Sequence, residues 1–107
     1  MQTISAIELQ AWLNDTARKA PQVIDVREEW ELALAKLAFA QHIAMQTIPE
    51  QLNAIDDTDA IVVVCHHGVR SYHVALFLEK QGFEQLYNLT GGIDAWSSQV
   101  DQSIARY

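Results

Sequence analysis

The 107-residue chain has one cysteine, Cys65, so no disulfide can form within it. That excludes a disulfide-stapled scaffold, and it leaves any chemistry at Cys65 without an internal resolving thiol. A metal centre built on several thiolates is excluded by the same count. Positive charge is scarce: seven Lys plus Arg stand against fourteen Asp plus Glu, a net charge of -7. Such a balance disfavours binding to a phosphate backbone. No run approaches the ~20 apolar residues that a membrane-spanning helix needs, and the first residues lack the basic and apolar regions of a signal peptide. The expectation is a cytoplasmic protein with neither nucleic acid nor membrane as partner. No internal repeat and no low-complexity stretch interrupts the chain.

What is present is an ordinary globular composition, half hydrophobic and a fifth charged. A chain of this length fits one domain, residues 1–107, and hides roughly two-thirds of its unfolded surface. Ser5 with Glu8 has the form of a capping box, followed by Ile7, Leu9, Trp12 and Leu13 at mostly helical spacing, which predicts a helix from about Ala6 to Arg18. Gln22 to Val26 reads as a buried strand with a helix over Arg27 to Ala35 after it, and His42-Ile43-Ala44 as a further short strand. Pro49 is placed to start a helix running to Ile55. The apolar run Ile61 to Val64 is a strand ending at Cys65, Arg70 to Gln81 a helix stopped by Gly82, Leu86 to Leu89 a strand, and Gly91-Gly92 a turn into a last short helix. Strands alternating with helices imply an α/β fold, a short, mostly parallel sheet with helices on both faces.

In such sheets ligands bind beyond the carboxyl ends of the strands, which is where Cys65 falls. It opens the loop Cys65-His66-His67-Gly68-Val69-Arg70-Ser71, which runs straight into a helix. Inward-turned backbone N–H groups and a helix N-terminus surround such a sulfur with partial positive charge, and the thiolate is the attacking form. A lone cysteine at a strand end is otherwise a small buried hydrophobe. Asp25 and Arg27 end a second strand on the same side.

Three motifs resemble those of the rhodanese family of sulfurtransferases: Val23-Ile24-Asp25-Val26-Arg27-Glu28 at a strand end, the loop Cys65 to Ser71, and Gly91-Gly92-Ile93-Asp94-Ala95-Trp96 near the C-terminus. Their order and spacing agree with the family, as does the total length with its stand-alone members. The resemblance implies that Cys65 takes a sulfane sulfur from a donor such as thiosulfate, holds it as a persulfide and hands it to cyanide or a thiol. No cofactor beyond that covalent intermediate is implied, and a sulfur-relay protein is a further candidate partner. His66, His67, Gly68, Val69, Arg70 and Ser71 would then bind the substrate, their backbone N–H groups surrounding the terminal sulfur.

Four residues separate Cys65 from Arg70, whereas the phosphatases and arsenate reductases that resemble rhodaneses place five there. The shorter loop suits one sulfur atom and crowds a tetrahedral oxyanion. The other alternative is an idle rhodanese-like module that binds a partner protein. One stretch departs from the family pattern: Lys36-Leu37-Ala38-Phe39-Ala40 replaces a histidine, proline and glycine turn, so the connection is remodelled or the preceding helix extended.

For the remaining residues, structural roles compete with functional ones. Asp25 and Arg27 are read as loop supports, with Glu28 and Glu31 as partners for Arg27. Arg70 either orients an oxyanion or braces the loop against a carboxylate. His66 and His67 either line the pocket mouth or are solvated; with His73 they lack the placed carboxylate that a metal site needs, so no metal is expected. Gly68 is expected either at positive φ or where close backbone approach leaves no room for a Cβ. Trp12, Trp30 and Trp96 are assigned to the core or its margin.

Overall fold

The computed structural model describes residues 1–107. In chain order its elements are β1 (Gln2–Ile4), α1 (Ala6–Asn14), β2 (Gln22–Asp25), α2 (Glu29–Leu34), β3 (Gln41–His42), two 3-10 turns (Met45–Glu50 and Leu52–Ala54), β4 (Ile61–Val64), α3 (Val69–Lys80), β5 (Leu86–Leu89) and α4 (Gly92–Gln99). Every residue of β4 is buried, as a strand covered on both faces must be. Alternation sends Ile61, Val63 and Cys65 into one apolar cluster with Ile24, Val26, Val74, Ala75 and Leu78, while Val62 and Val64 enter another with Val23, Leu9, Trp12, Ile93 and Trp96. The sheet order is β1-β5-β4-β2-β3 and every pairing is parallel. The α/β architecture with helices on both faces is therefore as expected, and all strands deliver their carboxyl ends to one edge.

Several boundaries differ from the sequence reading, each for a local reason. The Ser5–Glu8 capping box forms as expected, but α1 stops at Asn14. Asp15 is extended and its carboxylate accepts from Ala17 N–H at 3.0 Å, while Trp12 Nε1 donates to Lys19 O at 2.9 Å. Those bonds turn the chain before Arg18. The helix predicted from Pro49 is instead the pair of 3-10 turns; the first begins four residues earlier, at Met45, which places Pro49 in its interior, where the missing N–H and the ring's clash with the carbonyl four residues back disfavour an α-helix. β3 pairs at Gln41–His42 rather than over His42 to Ala44. β1 escaped sequence reading because only Ile4 of its three residues is buried.

The Lys36–Ala40 stretch is remodelled, not an extension of α2. Leu37 is buried, Ala40 N–H donates to Leu37 O at 3.2 Å, and the Phe39 ring packs on Trp96 at 5.2 Å. Trp12 and Trp96 are core residues, but the same assignment fails for Trp30, which is 63% exposed. Its neighbour Glu31 is the buried residue of α2, so Trp30 is carried to the outer side of the helix.

Candidate active site

The carboxyl ends of β2, β4 and β5 bring three of the sequence-predicted groups together. Cys65 is 1% exposed. Its Sγ accepts the Gly68 N–H at 3.1 Å and lies 3.2 Å from Ser71 Oγ. Gly68 has φ +104°, as expected, and a Cβ there would sit 3.3 Å from both Leu89 O and Gly91 N. Only glycine lets the loop turn its N–H onto the sulfur against that neighbouring backbone. Gly68 also caps α3, so the helix begins at the sulfur and its partial positive end lies nearby.

Beneath the loop stands Asn88 of β5, a residue the sequence reading did not single out. Ser71 Oγ donates to Asn88 Oδ1 at 2.5 Å, and Asn88 Nδ2 donates to Gly68 O at 3.0 Å. One amide thus ties both ends of the cradle to the sheet. Its signal in the sequence was a polar residue inside an otherwise apolar strand.

From the other side α4 closes on the same loop. Ile93 N–H donates to Cys65 O at 2.9 Å and Asp94 N–H to His66 O at 3.2 Å, so helix-end donors that would otherwise be unpaired are spent on the loop carbonyls. A Cβ on Gly92 would overlap the Cys65 and His66 carbonyl oxygens, which accounts for the second glycine of Gly91-Gly92.

Both arginines are paired. Arg70 forks onto Glu31, Nη1 to Oε1 at 2.6 Å and Nη2 to Oε2 at 2.8 Å. The Arg70 guanidinium holds the Glu31 carboxyl down at about 2 despite burial, and Glu31 in turn raises Arg70. Arg27, fully buried, forks onto Asp25 through Nε at 3.0 Å and Nη2 at 2.7 Å and also donates to Ala35 O at 2.8 Å. Burial opposes the Arg27 charge, and Asp25 with Tyr107 more than restores it, leaving its pKa raised. The expected pairing of Arg27 with a Glu28 or Glu31 carboxylate is corrected: Asp25 is nearer in the strand-end turn, and Arg70 occupies Glu31. His42 Nε2 donates to Arg27 O at 2.6 Å, linking this support to β3.

His66 and His67 stack on each other with centroids 3.8 Å apart, and the Tyr107 ring lies on the far face of His66 at 3.9 Å. Val69 stands exposed at the rim. His73 is not part of this stack; it lines a groove of about 200 Å³ with Met45 and Phe77. The carboxylate absent from the sequence reading exists: ligand atoms of His66, His67 and Asp94 all lie within 4.8 Å of one another. The set does not suit a cation, however. Both Asp94 oxygens accept from Arg106, at 2.9 and 3.0 Å, which lowers the Asp94 pKa and engages the one carboxylate of the set. Glu31 was read as a partner of Arg27 instead of Arg70, and Tyr107 was missed as a support, because nothing in the local sequence marks a partner 39 or 76 residues away.

Comparison with known proteins matches residues 5–99 to the model of the rhodanese-like domain. The chain belongs to the rhodanese-like family. Among rhodanese-like relatives, the putative sulfurtransferase YtwF of Bacillus subtilis is 39% identical over 73% of this chain and 75% of its own length. The thiosulfate sulfurtransferase GlpE of Pseudomonas fluorescens is 37% identical over 78% of this chain and 77% of its own. The crystal structure of a rhodanese-like domain protein from Staphylococcus aureus superposes with a TM-score of 0.85 at 34% identity, covering 100% of this chain and 99% of that one.

Proposed function

We propose that the protein is a sulfurtransferase that carries a sulfane sulfur on Cys65. Support at the level of sulfur transfer comes from relatives named sulfurtransferases at 34–39% identity. The observation that carries the finer reading is the Cys65 Sγ seated against Gly68 N–H and Ser71 Oγ at the start of α3.

With thiosulfate as donor, the Cys65 thiolate attacks the outer sulfur, the S–S bond breaks, and sulfite leaves with the bonding pair. The product is a persulfide anion, and the charge is conserved. Cyanide or a thiolate then attacks the terminal sulfur and the Cys65 thiolate departs. Gly68 N–H and the Ser71 hydroxyl are placed to stabilise the sulfur anion of either resting form. Asp25, Arg27 and the Arg70–Glu31 pair hold the loop, leaving the backbone from His66 to Ser71 to meet the substrate. The cycle needs a donor and an acceptor from outside, because no second cysteine exists. We assign residues 1–107 to a single catalytic unit working in the cytoplasm.

The test is intact-mass measurement after incubation with thiosulfate. The expected result is a gain of one sulfur by the wild type and none by Cys65→Ser, with the gain removed by cyanide. Absence of any gain from thiosulfate and from organic persulfides would overturn the reading in favour of a binding module.

A further inference from the structure

Tyr107 makes contacts that neither the sheet nor the sulfur cradle accounts for. Its Oη donates to Glu31 Oε2 at 2.7 Å and accepts from Arg27 Nη1 at 3.0 Å, so one phenol joins the two ion-paired arginines' networks. Burial and Glu31 push this phenol up to about 12 against the opposing pull of Arg27. Its ring meanwhile lies within 5° of parallel to His66, the residue next to the nucleophile. The rest of the segment from Asp101 to Arg106 is largely exposed and is tied down by Arg106 on Asp94 and by Ser97 on Ile104.

Two further facts bear on access. Cys65 is almost completely enclosed, so access to Sγ is limited by the side chains around the loop. His66 Nε2, inside the stack, is buried and has no hydrogen-bond partner. An unpaired buried nitrogen is unfavourable, so the His66 ring, one residue from Cys65, gains by moving toward an incoming polar group.

We propose that Tyr107 is a specificity-determining positioning residue: by clamping His66 against His67, it limits the size of the sulfur compound that reaches Cys65. The inference rests on the sulfur-transfer reading for its meaning, though not for its test. A bulky donor has to open the Tyr107–His66 stack, whereas a small one enters past it.

The experiment measures the rate of Cys65 modification by two thiosulfonates with the same reactive bond, one carrying a methyl group and one a biphenylmethyl group. In each, the thiolate attacks the sulfenyl sulfur, a mixed disulfide forms and sulfinate leaves, so no sulfurtransferase activity is needed. Wild type is expected to favour the methyl reagent strongly. Tyr107→Ala is expected to raise the bulky-to-small rate ratio about tenfold, the factor that one lost aromatic stack or charged hydrogen bond carries. Tyr107→Phe keeps the ring and loses only the hydroxyl, so its ratio falls between the two. His66→Ala, which removes the other face of the stack, carries the same expectation as Tyr107→Ala and decides the matter if that variant is poorly folded. A merely structural role raises both rates together and leaves the ratio unchanged; that result overturns the proposal. Failure of thiosulfate loading alongside a changed ratio would sink the sulfur-transfer reading and leave the clamp standing.

Discussion

Ser71 has one hydroxyl proton and two acceptors within reach, Cys65 Sγ at 3.2 Å and Asn88 Oδ1 at 2.5 Å. When Cys65 carries its proton, S–H donates to Ser71 and Ser71 donates to Asn88. When Cys65 is a thiolate, the hydroxyl can turn to the sulfur, and the exchange costs only the bond to Asn88. Ser71 is thus a switchable donor, and its effect is greatest on the charged forms of the proposed cycle. Ser71→Ala is expected to slow persulfide formation by about 10- to 100-fold, the range of a lost hydrogen bond to a charged group of ~1.5–3 kcal/mol, with thermal stability changed much less. Quenched-flow mass measurement reads the loading rate; a rate equal to wild type would assign Ser71 to the fold alone. In the sequence this residue was visible as the end of the loop, but its second partner was not. Asn88 lies 17 positions away on β5, and only the parallel register of β4 with β5, Val63 opposite Asn88, brings it under the loop.

At the scale of elements the same limit applies. The order of strands and helices was legible because β-branched runs, a capping box and turn glycines are local signals. Lost to reading were the places where one element is shaped by another: α1 cut short by the Trp12–Lys19 bond, Trp30 turned outward because Glu31 turns in, and β1 formed by only one buried side chain. The α2–α3 clamp is of this kind. Glu31 drops from an ordinary 4.5 to about 2 because Arg70 donates two hydrogen bonds to it. The folded-state pKa is depressed, so this stabilisation is fully present above pH 4.5 and is lost as the pH falls from there through about 2. Arg70 is 35% exposed, so its solvation discounts the gain to on the order of 2 kcal/mol. The stability gap between wild type and Glu31→Gln should therefore be widest at neutral pH and close toward pH 2. Urea unfolding across that pH range measures it; a gap that stays constant would mean the ion pair is not its source.

For the whole molecule, five parallel strands between two apolar layers deliver the loop, Asp25 and Asn88 to one edge, and the chain as a whole carries a charge of -7. The net charge was plain in the sequence, and so was carboxylate pairing as a reading of both arginines of the site; which carboxylates pair with them was not, because Glu31 and Asp25 claim them only in three dimensions. A dianion such as thiosulfate consequently approaches a negative body with no unpaired guanidinium at the site to reverse the field. Like charges slow encounter, and salt relieves the repulsion: the screening length falls from ~30 Å at 0.01 M to ~10 Å at 0.1 M. The second-order rate of thiosulfate loading is expected to rise severalfold over that interval, while the rate with an uncharged thiosulfonate stays flat. Comparing the two reagents cancels any effect of salt on the fold. A thiosulfate rate that falls with salt would instead mean that local positive potential at the loop and the α3 N-terminus outweighs the field of the molecule and draws the anion in.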